Sequence, residues 1–352
     1  MRLDTNTHPI IEGQYLRDIL DQPRALTATL GQLEVPKELS VLARRLKEGQ
    51  IKRIVLTGMG ASFHALHPLF LELNEYGYTA VRIETSELIH SVQRWFEPET
   101  LIIAISQSGQ SAEVVRLIEE NRSRAAIVGI TNDADSALAL GANASILTMA
   151  GEEFSVSCKT YVTALMALRL LGGFLCGCDA SQTREELAQS VPAVASYLRN
   201  WKNHVFELTA EIGRIHHLFL LGRGASLAAT GEGALIVKES VRLHAEGMSG
   251  AAFRHGPLEM VNGETFAVVF AGVDATRTLQ ARLLDDIRHA GGRAGWIAED
   301  SSPGPWKLPE TPPAVRPIVE ILPVQMMTLA LAAEAGMEAG RFARVSKITT
   351  ME

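Results

Sequence analysis

Two hydrophobic periods alternate along this chain. Short apolar runs bounded by small polar residues recur at Arg53–Thr57, Ala80–Glu84, Leu101–Ile105, Ala125–Thr131 and Ser145–Thr148, and they read as buried strands. Between them, Ser62–Tyr76 and Glu113–Asn121 space their apolar residues at helical intervals, with Val114, Leu117 and Ile118 on one face. A more uniformly apolar helix is predicted from Lys159 to Leu175. Strands that alternate with helices predict a mainly parallel sheet covered on both faces, with ligands at the carboxyl ends of the strands. Ahead of this pattern, Glu12–Leu30 and Pro36–Glu48 carry spaced leucines and predict a helical packing or interface arm over residues 1–50. Behind it, the polar stretch Asp179–Arg199 contains a capping-box pattern, Thr183…Glu186, and predicts a linker helix.

The design then restarts. LFLLGRGASLAAT at 218–230 repeats IVLTGMGASFHAL at 54–66, so that Gly58, Gly60, Ala61 and Ser62 recur as Gly222, Gly224, Ala225 and Ser226. A strand ending in GxGAS and opening a helix occurs twice, which implies an internal duplication. The second copy continues with a helix through Glu239, an irregular Gly-rich segment at 247–257, a strand at Phe266–Ala271, a helix at Ala275–Ala290 and a strand at Arg293–Ile297. A proline-rich loop at 300–314, a helix near Gln325–Gly336 and a polar tail complete it. The predicted organisation is an arm at 1–50, a first α/β domain at 51–180, a linker helix at 181–210 and a second α/β domain at 211–352.

Composition narrows the class. Of 352 residues, 47% are hydrophobic and 21% charged, as in a globular protein, and the formal net charge of −7 excludes a general affinity for nucleic acid or anionic membrane. Any anionic ligand must therefore be held locally. The segment MRLDTNTHPI has no apolar core of a signal peptide, and Tyr161–Gly177 is short for a bilayer and interrupted by Arg169, so a cytoplasmic protein is expected. Cys158, Cys176 and Cys178 form neither a disulfide framework nor a zinc-ligand spacing and read as reduced, structural thiols.

The candidate chemistry begins at LIIAISQSGQS, residues 101–111. A strand running into Ser106, Gln107, Ser108, Gly109, Gln110 and Ser111 and then into a helix places neutral donors beside the positive end of a helix dipole, a place suited to a phosphate monoester. The plainer reading is that Ser108 only caps the helix. GxGAS is not a dinucleotide fingerprint, because Phe63 and Leu227 stand where a third glycine belongs, and no Walker pattern is present. The second copy carries a different feature, KESVRLHAEGMSGAAFRHGPLEMV (238–261), in which Glu239, His244, Glu246, His255 and Glu259 fall among small residues. A carboxylate with an imidazole suits proton transfer beside a carbonyl. His244 and Glu246 read more simply as ordinary polar positions.

GxGAS, SQSGQS, the segment Glu152–Tyr161, KES…HAE…RHGPLE and the tail Ser346-Lys347-Ile348-Thr349 together resemble the double sugar-isomerase (SIS) domain family over residues 45 to 352. The pattern is most like the isomerase half of glucosamine-6-phosphate synthase and its stand-alone relatives, the amino-sugar-phosphate deaminases and ketosamine-6-phosphate deglycases. The resemblance implies two flavodoxin-like three-layer domains and a sugar 6-phosphate cradled by Ser106, Gln107, Ser108 and Ser111, with Gly60, Ser62 and Ser157 lining the site. It implies that Glu239 moves a proton between C1 and C2, that His255 helps open the ring, a role that can be played across a subunit boundary, and that Lys347 forms an imine with a ketose carbonyl.

Three departures shape the expectation. No cysteine precedes Cys158, so the chain as given has no nucleophile for glutamine hydrolysis; Ile236 stands where the synthase has a lysine; and Met59 and Glu259 alter what fits beside C1 and C2. The expected activity is isomerisation of a 6-phosphorylated amino sugar with loss of its amine, or deglycation of a ketosamine 6-phosphate. It needs no metal or redox cofactor, since only protons move. A non-catalytic phosphosugar-binding regulator is the alternative of another class, although residues 1–50 show no basic recognition helix. The arm and the apolar helices at 159–175 and 324–336 suggest a homodimer.

Overall fold

The computed structural model describes residues 10–344 and Lys347. Residues 1–9 of the expected arm, and Ser346, Ile348 and Thr349 of the tail motif, lie outside the described residues. The described chain divides into two compact units. One holds Gln22–Glu153, Ser157–Val191 and Lys347, and the other holds the chain up to Asp21, Phe154–Val156 and Pro192–Arg344. They are called here the first-sheet and second-sheet units.

The first-sheet unit contains β1 (Arg53–Gly58), β2 (Ala80–Glu84), β3 (Thr100–Ile105), β4 (Ala126–Thr131) and β5 (Ala144–Leu147), hydrogen-bonded in the order β2-β1-β3-β4-β5. Every pair is parallel, and this is the flavodoxin-like order. All six residues of β3 and of β4 are buried, because a parallel sheet is covered on both faces and its strands have no solvent side. Val55, Ile102, Ala104 and Ile127 pack on one face with Leu88, Val114, Leu117 and Leu138. Helix Lys159–Cys176, together with the helical residues 60–75, packs on the other side.

The second-sheet unit repeats the plan with β6 (His217–Gly222), β7 (Ala245–Ser249), β8 (Thr265–Phe270) and β9 (Arg293–Ile297), ordered β7-β6-β8-β9 and again parallel throughout. The place of a fifth strand is taken by a single bridge, Ala298 with Lys307. Phe219, Leu221, Ala267 and Val269 pack with Phe253, Leu283 and Ile287 on one face, and helices Leu227–Val241 and Leu322–Glu334 pack together with β6 on the other side.

The structure departs from the sequence reading in four places. Helix 62–76 is two helices, Gly60–Ala65 and His67–Glu75, since Pro68 cannot donate into a continuing helix. The segment 247–257 is not irregular: it completes β7 and forms helix Gly250–Arg254. Gly247 lies so close to helix Leu227–Val241 that an ideal Cβ would sit 2.4 Å from the Thr230 carbonyl oxygen, a close approach that only glycine permits. The arm divides, with helix Gln14–Leu20 in the second-sheet unit and helices Gln22–Gln32 and Lys37–Lys47 in the first-sheet unit. Helix Ala180–Leu198 is not a separate linker; the division between units falls inside it, at Pro192.

Two helical segments, Lys159–Cys176 and Pro313–Glu334, are long and apolar enough to pass for membrane spans, but 83% of each apolar window is buried inside the protein. They are core helices.

Replacing Gly247 with alanine forces Cβ against backbone rather than a flexible side chain. We expect a loss of about 1–3 kcal/mol, read as a lowered urea midpoint with the secondary structure retained.

Candidate functional site

The turn after β3 is built on the strand that follows it. Ser106 N–H donates to the Ile130 carbonyl at 3.0 Å, Asn132 N–H to Gln107 O at 3.0 Å and Leu138 N–H to Gly109 O at 3.0 Å. Within the turn, the Ser106 hydroxyl oxygen accepts from Gly109 N–H at 3.1 Å and the Ser108 hydroxyl oxygen from Gln110 N–H at 3.2 Å. Gly109 is buried at φ +60°, and a Cβ there would meet the Ser136 hydroxyl at 2.2 Å. The N-cap of helix Ala112–Asn121 is Ser111, whose side chain makes no capping bond. Ser108 is thus a turn residue, and the plain capping reading does not hold for it.

These residues border a small pocket at the carboxyl ends of the strands. Ser62, Ser106, Gln107 and Ser157 line it, four of the positions the sequence marked. Ser108 and Ser111 sit on the same turn outside the lining, and Gly60, at φ +52°, supports the neighbouring turn. Met59 is the N-cap of helix Gly60–Ala65 and is half-buried. Thr160 and Tyr161, which close the segment Glu152–Tyr161 singled out in the sequence, also line the pocket, as do Thr131 and Thr148, which went unnoticed there. The available signal was positional, since Thr131 and Thr148 end or follow β4 and β5, where open parallel sheets place their ligands. Among the described residues the lining contains no charged side chain. It offers hydroxyls, an amide and the first turns of helices Gly60–Ala65 and Lys159–Cys176, an arrangement that receives an anion through neutral donors.

Beside the pocket residues stands a buried carboxylate. Glu153 accepts from Cys158 N–H at 2.9 Å, Thr160 N–H at 3.1 Å and the Thr160 hydroxyl at 2.6 Å, and the Lys347 ammonium lies 2.7 Å away. Burial pushes the Glu153 pKa up, but Lys347, the Thr160 hydroxyl and the Cys158 N–H together outweigh it, so the carboxyl lies below the usual range. Glu153 ties down the segment holding Ser157 and Thr160. In this arrangement Lys347 is a counterion, half-buried against a carboxylate.

The remaining predicted residues belong to the second-sheet unit. Glu239 is half-buried near the end of helix Leu227–Val241. His255 follows helix Gly250–Arg254 and is exposed, as is Glu259 in the turn Pro257–Met260. Ile236 is fully buried in the same helix as Glu239. A larger groove of about 740 Å³ in this unit is lined by Trp296, Trp306, Glu211, Arg277 and Asp300 among others and includes none of the predicted residues. Within it, Trp306 Nε1–H donates to Glu211 at 2.8 Å and Arg277 pairs with Asp300. Among the described residues no group of three or more His, Cys, Asp or Glu is placed to hold a metal. The Cys176 thiol is pushed up to about 12, chiefly by burial.

Residues 50–172 match the family model described as SIS domain. Residues 50–172 form a SIS domain. Among curated relatives, the glutamine–fructose-6-phosphate aminotransferase (isomerizing) of Pyrococcus horikoshii is 31% identical across 96% of the chain; the chain spans 57% of that relative's length. Among solved structures, the C-terminal domain of glucosamine-fructose-6-phosphate aminotransferase from Francisella tularensis superposes with a TM-score of 0.81 at 21% identity, covering 92% of this chain and 97% of that one. Glucosamine-6-phosphate deaminase from Thermotoga maritima gives 0.76 at 17% identity, covering 96% of this chain and 100% of that one. At those identities the likeness establishes a common SIS fold.

Two outcomes follow from the Glu153 environment. Lys347→Met strands a buried carboxylate, with an expected cost of about 3–5 kcal/mol at neutral pH that Glu153→Gln in the same chain largely restores in thermal unfolding. Because the folded Glu153 pKa is depressed, its stabilisation is present above the ordinary carboxylate pKa and is lost as pH falls through the folded value. Acid titration of stability should therefore be shallower in Glu153→Gln than in the native chain.

Proposed function

We propose that this protein is an enzyme acting on a 6-phosphorylated amino sugar of the glucosamine 6-phosphate type. The phosphate is held in the first-sheet unit by Ser62, Ser106, Gln107 and Ser157, with Ser108 and Ser111 shaping the turn. Glu239 moves the proton between C1 and C2 of the open-chain sugar and His255 assists ring opening. Met59 and Glu259 bear on which amine is accepted. The observation that carries the reading is the uncharged pocket, lined by hydroxyls from the ends of several strands and suited to a doubly charged oxyanion in a protein of net charge −7. The relatives support the substrate class. Both the Pyrococcus aminotransferase and the Thermotoga deaminase are named for hexose 6-phosphates. An isomerisation with amine release proceeds by proton transfers, for which a carboxylate and an imidazole suffice.

The role of Lys347 follows from its partner. An amine attacks a carbonyl only when uncharged, whereas here it neutralises Glu153. We assign it to holding the Ser157 segment in place rather than to forming an imine.

A panel of glucosamine 6-phosphate, fructose 6-phosphate with ammonia, and ketosamine 6-phosphates, assayed for ammonia, amino acid and hexose phosphate, should show turnover of at least one. Glu239→Gln should lower kcat by at least about a hundredfold while fructose 6-phosphate still raises the melting temperature. Ser106→Ala with Ser157→Ala should instead raise KM. Full turnover by Glu239→Gln would sink the proposal; a thermal shift with no turnover of any sugar would favour the binding regulator.

A further inference from the structure

The shared strand order lets corresponding places in the two units be compared. Ser226 occupies in the second GxGAS the place of Ser62 in the first, at the entry to helix Leu227–Val241. The turn after β8 corresponds to the serine turn after β3. It has shrunk from six residues (106–111) to three, Ala271, Gly272 and Val273, and contains no hydroxyl. An ideal Cβ on Gly272, at φ +68°, would lie 3.7 Å from the Ser226 hydroxyl oxygen, so turn and serine still meet.

What fills this place is a side chain of the protein. Helix Arg316–Glu320 delivers Glu320, whose Oε1 accepts from the Ser226 hydroxyl at 2.7 Å. Glu320 is 2% exposed and Ser226 3%, and the second carboxyl oxygen, Oε2, has no hydrogen-bond partner among the described residues. The nearby cation is engaged elsewhere: Arg316 pairs with Glu299 at 2.6 Å and donates to the Gly272 carbonyl at 2.9 Å. Arg223 donates to Gln280 at 3.2 Å. Burial consequently lifts the Glu320 pKa to about 7, against the smaller lowering by Ser226 and Arg316. A buried carboxyl with one unsatisfied oxygen and a raised pKa does not stabilise the fold by its own bonds. Its position, against the duplicated serine at the start of a fifteen-residue helix, is the position of an anionic ligand.

We propose that Glu320 is an internal stand-in for such a ligand, closing in the second-sheet unit a latent site for inorganic phosphate or a phosphate monoester. The chain accordingly binds one sugar phosphate rather than two. The proposal rests on the reading of the serine pocket as the phosphate site of the first-sheet unit. Truncating Glu320 to alanine removes a group of roughly the bulk of phosphate's core and leaves Ser226, the helix start and the Gly272 turn in place.

The test is the stoichiometry of inorganic phosphate and of fructose 6-phosphate on the full chain, by calorimetry and phosphorus NMR. One equivalent is expected for the native protein and for Glu320→Gln, which keeps the plug. Two equivalents of inorganic phosphate are expected for Glu320→Ala, returning to one when Ser226→Ala is added. Glu320→Ser, which leaves Ser226 a hydroxyl to bond, carries the same readout should the alanine variant not fold. A folded truncation variant with no gain in phosphate, or two equivalents in the native chain, overturns the proposal. Failure of the parent reading looks different: the native chain would bind no phosphate, while the truncation would still gain an equivalent.

Discussion

The turn after β3 is held by backbone bonds that prolong the sheet beyond its strands. Ser106 and Gln107 are tied to β4 and the residue after it, and Gly109 to Leu138 in the helix Ala137–Gly141 that follows, so the turn is positioned by the register of two buried strands and the next helix rather than by a free loop. A parallel ladder sets that register along its length. Gly109 is the residue that makes the arrangement possible, since its left-handed backbone and lack of a Cβ let the turn lie on Ser136 and Thr131. A rigid underside leaves hydroxyls and the amide facing the pocket, preorganised at little entropic cost on binding.

The charges around this pocket cancel locally. Glu153 and Lys347 neutralise each other at 2.7 Å, and the pocket lining is neutral. What remains to attract an anion is the set of donor dipoles, which hold a fixed direction and need no counterion when the site is empty. The second-sheet unit applies the same scaffold differently. Its corresponding turn is too short to carry serines, its duplicated serine bonds an internal carboxyl, and its ionisable stretch lies elsewhere, on the helix ending at Val241 and the turns after β7. The division of labour between the copies thus has a physical basis in turn length and in one buried side chain.

Much of the fold was legible because the signals were local. β2 and β9 have the boundaries that their apolar runs predict, and the two GxGAS turns open helices in both units. Where the reading failed, a longer-range constraint decided. Gly247 looked like loop, but its missing side chain is what lets an edge strand approach Thr230. The leucines of the expected arm looked like one surface, yet they are shared between two units. Thr131 and Thr148 carried no motif, and only the sheet brings them to one pocket with Thr160.

From its sequence alone this protein determined every strand but β7, the GxGAS turns, its duplication and the serines after β3, because each depends on residues within a few positions of one another. Tertiary structure decided which hydroxyls share a pocket, that Lys347 faces Glu153 across 194 positions and that Glu320 meets Ser226 across 94. Those pairings have no period to betray them. They exist because burial makes an unpartnered charge or hydroxyl costly, and the partner that relieves it is chosen by packing rather than by distance along the chain.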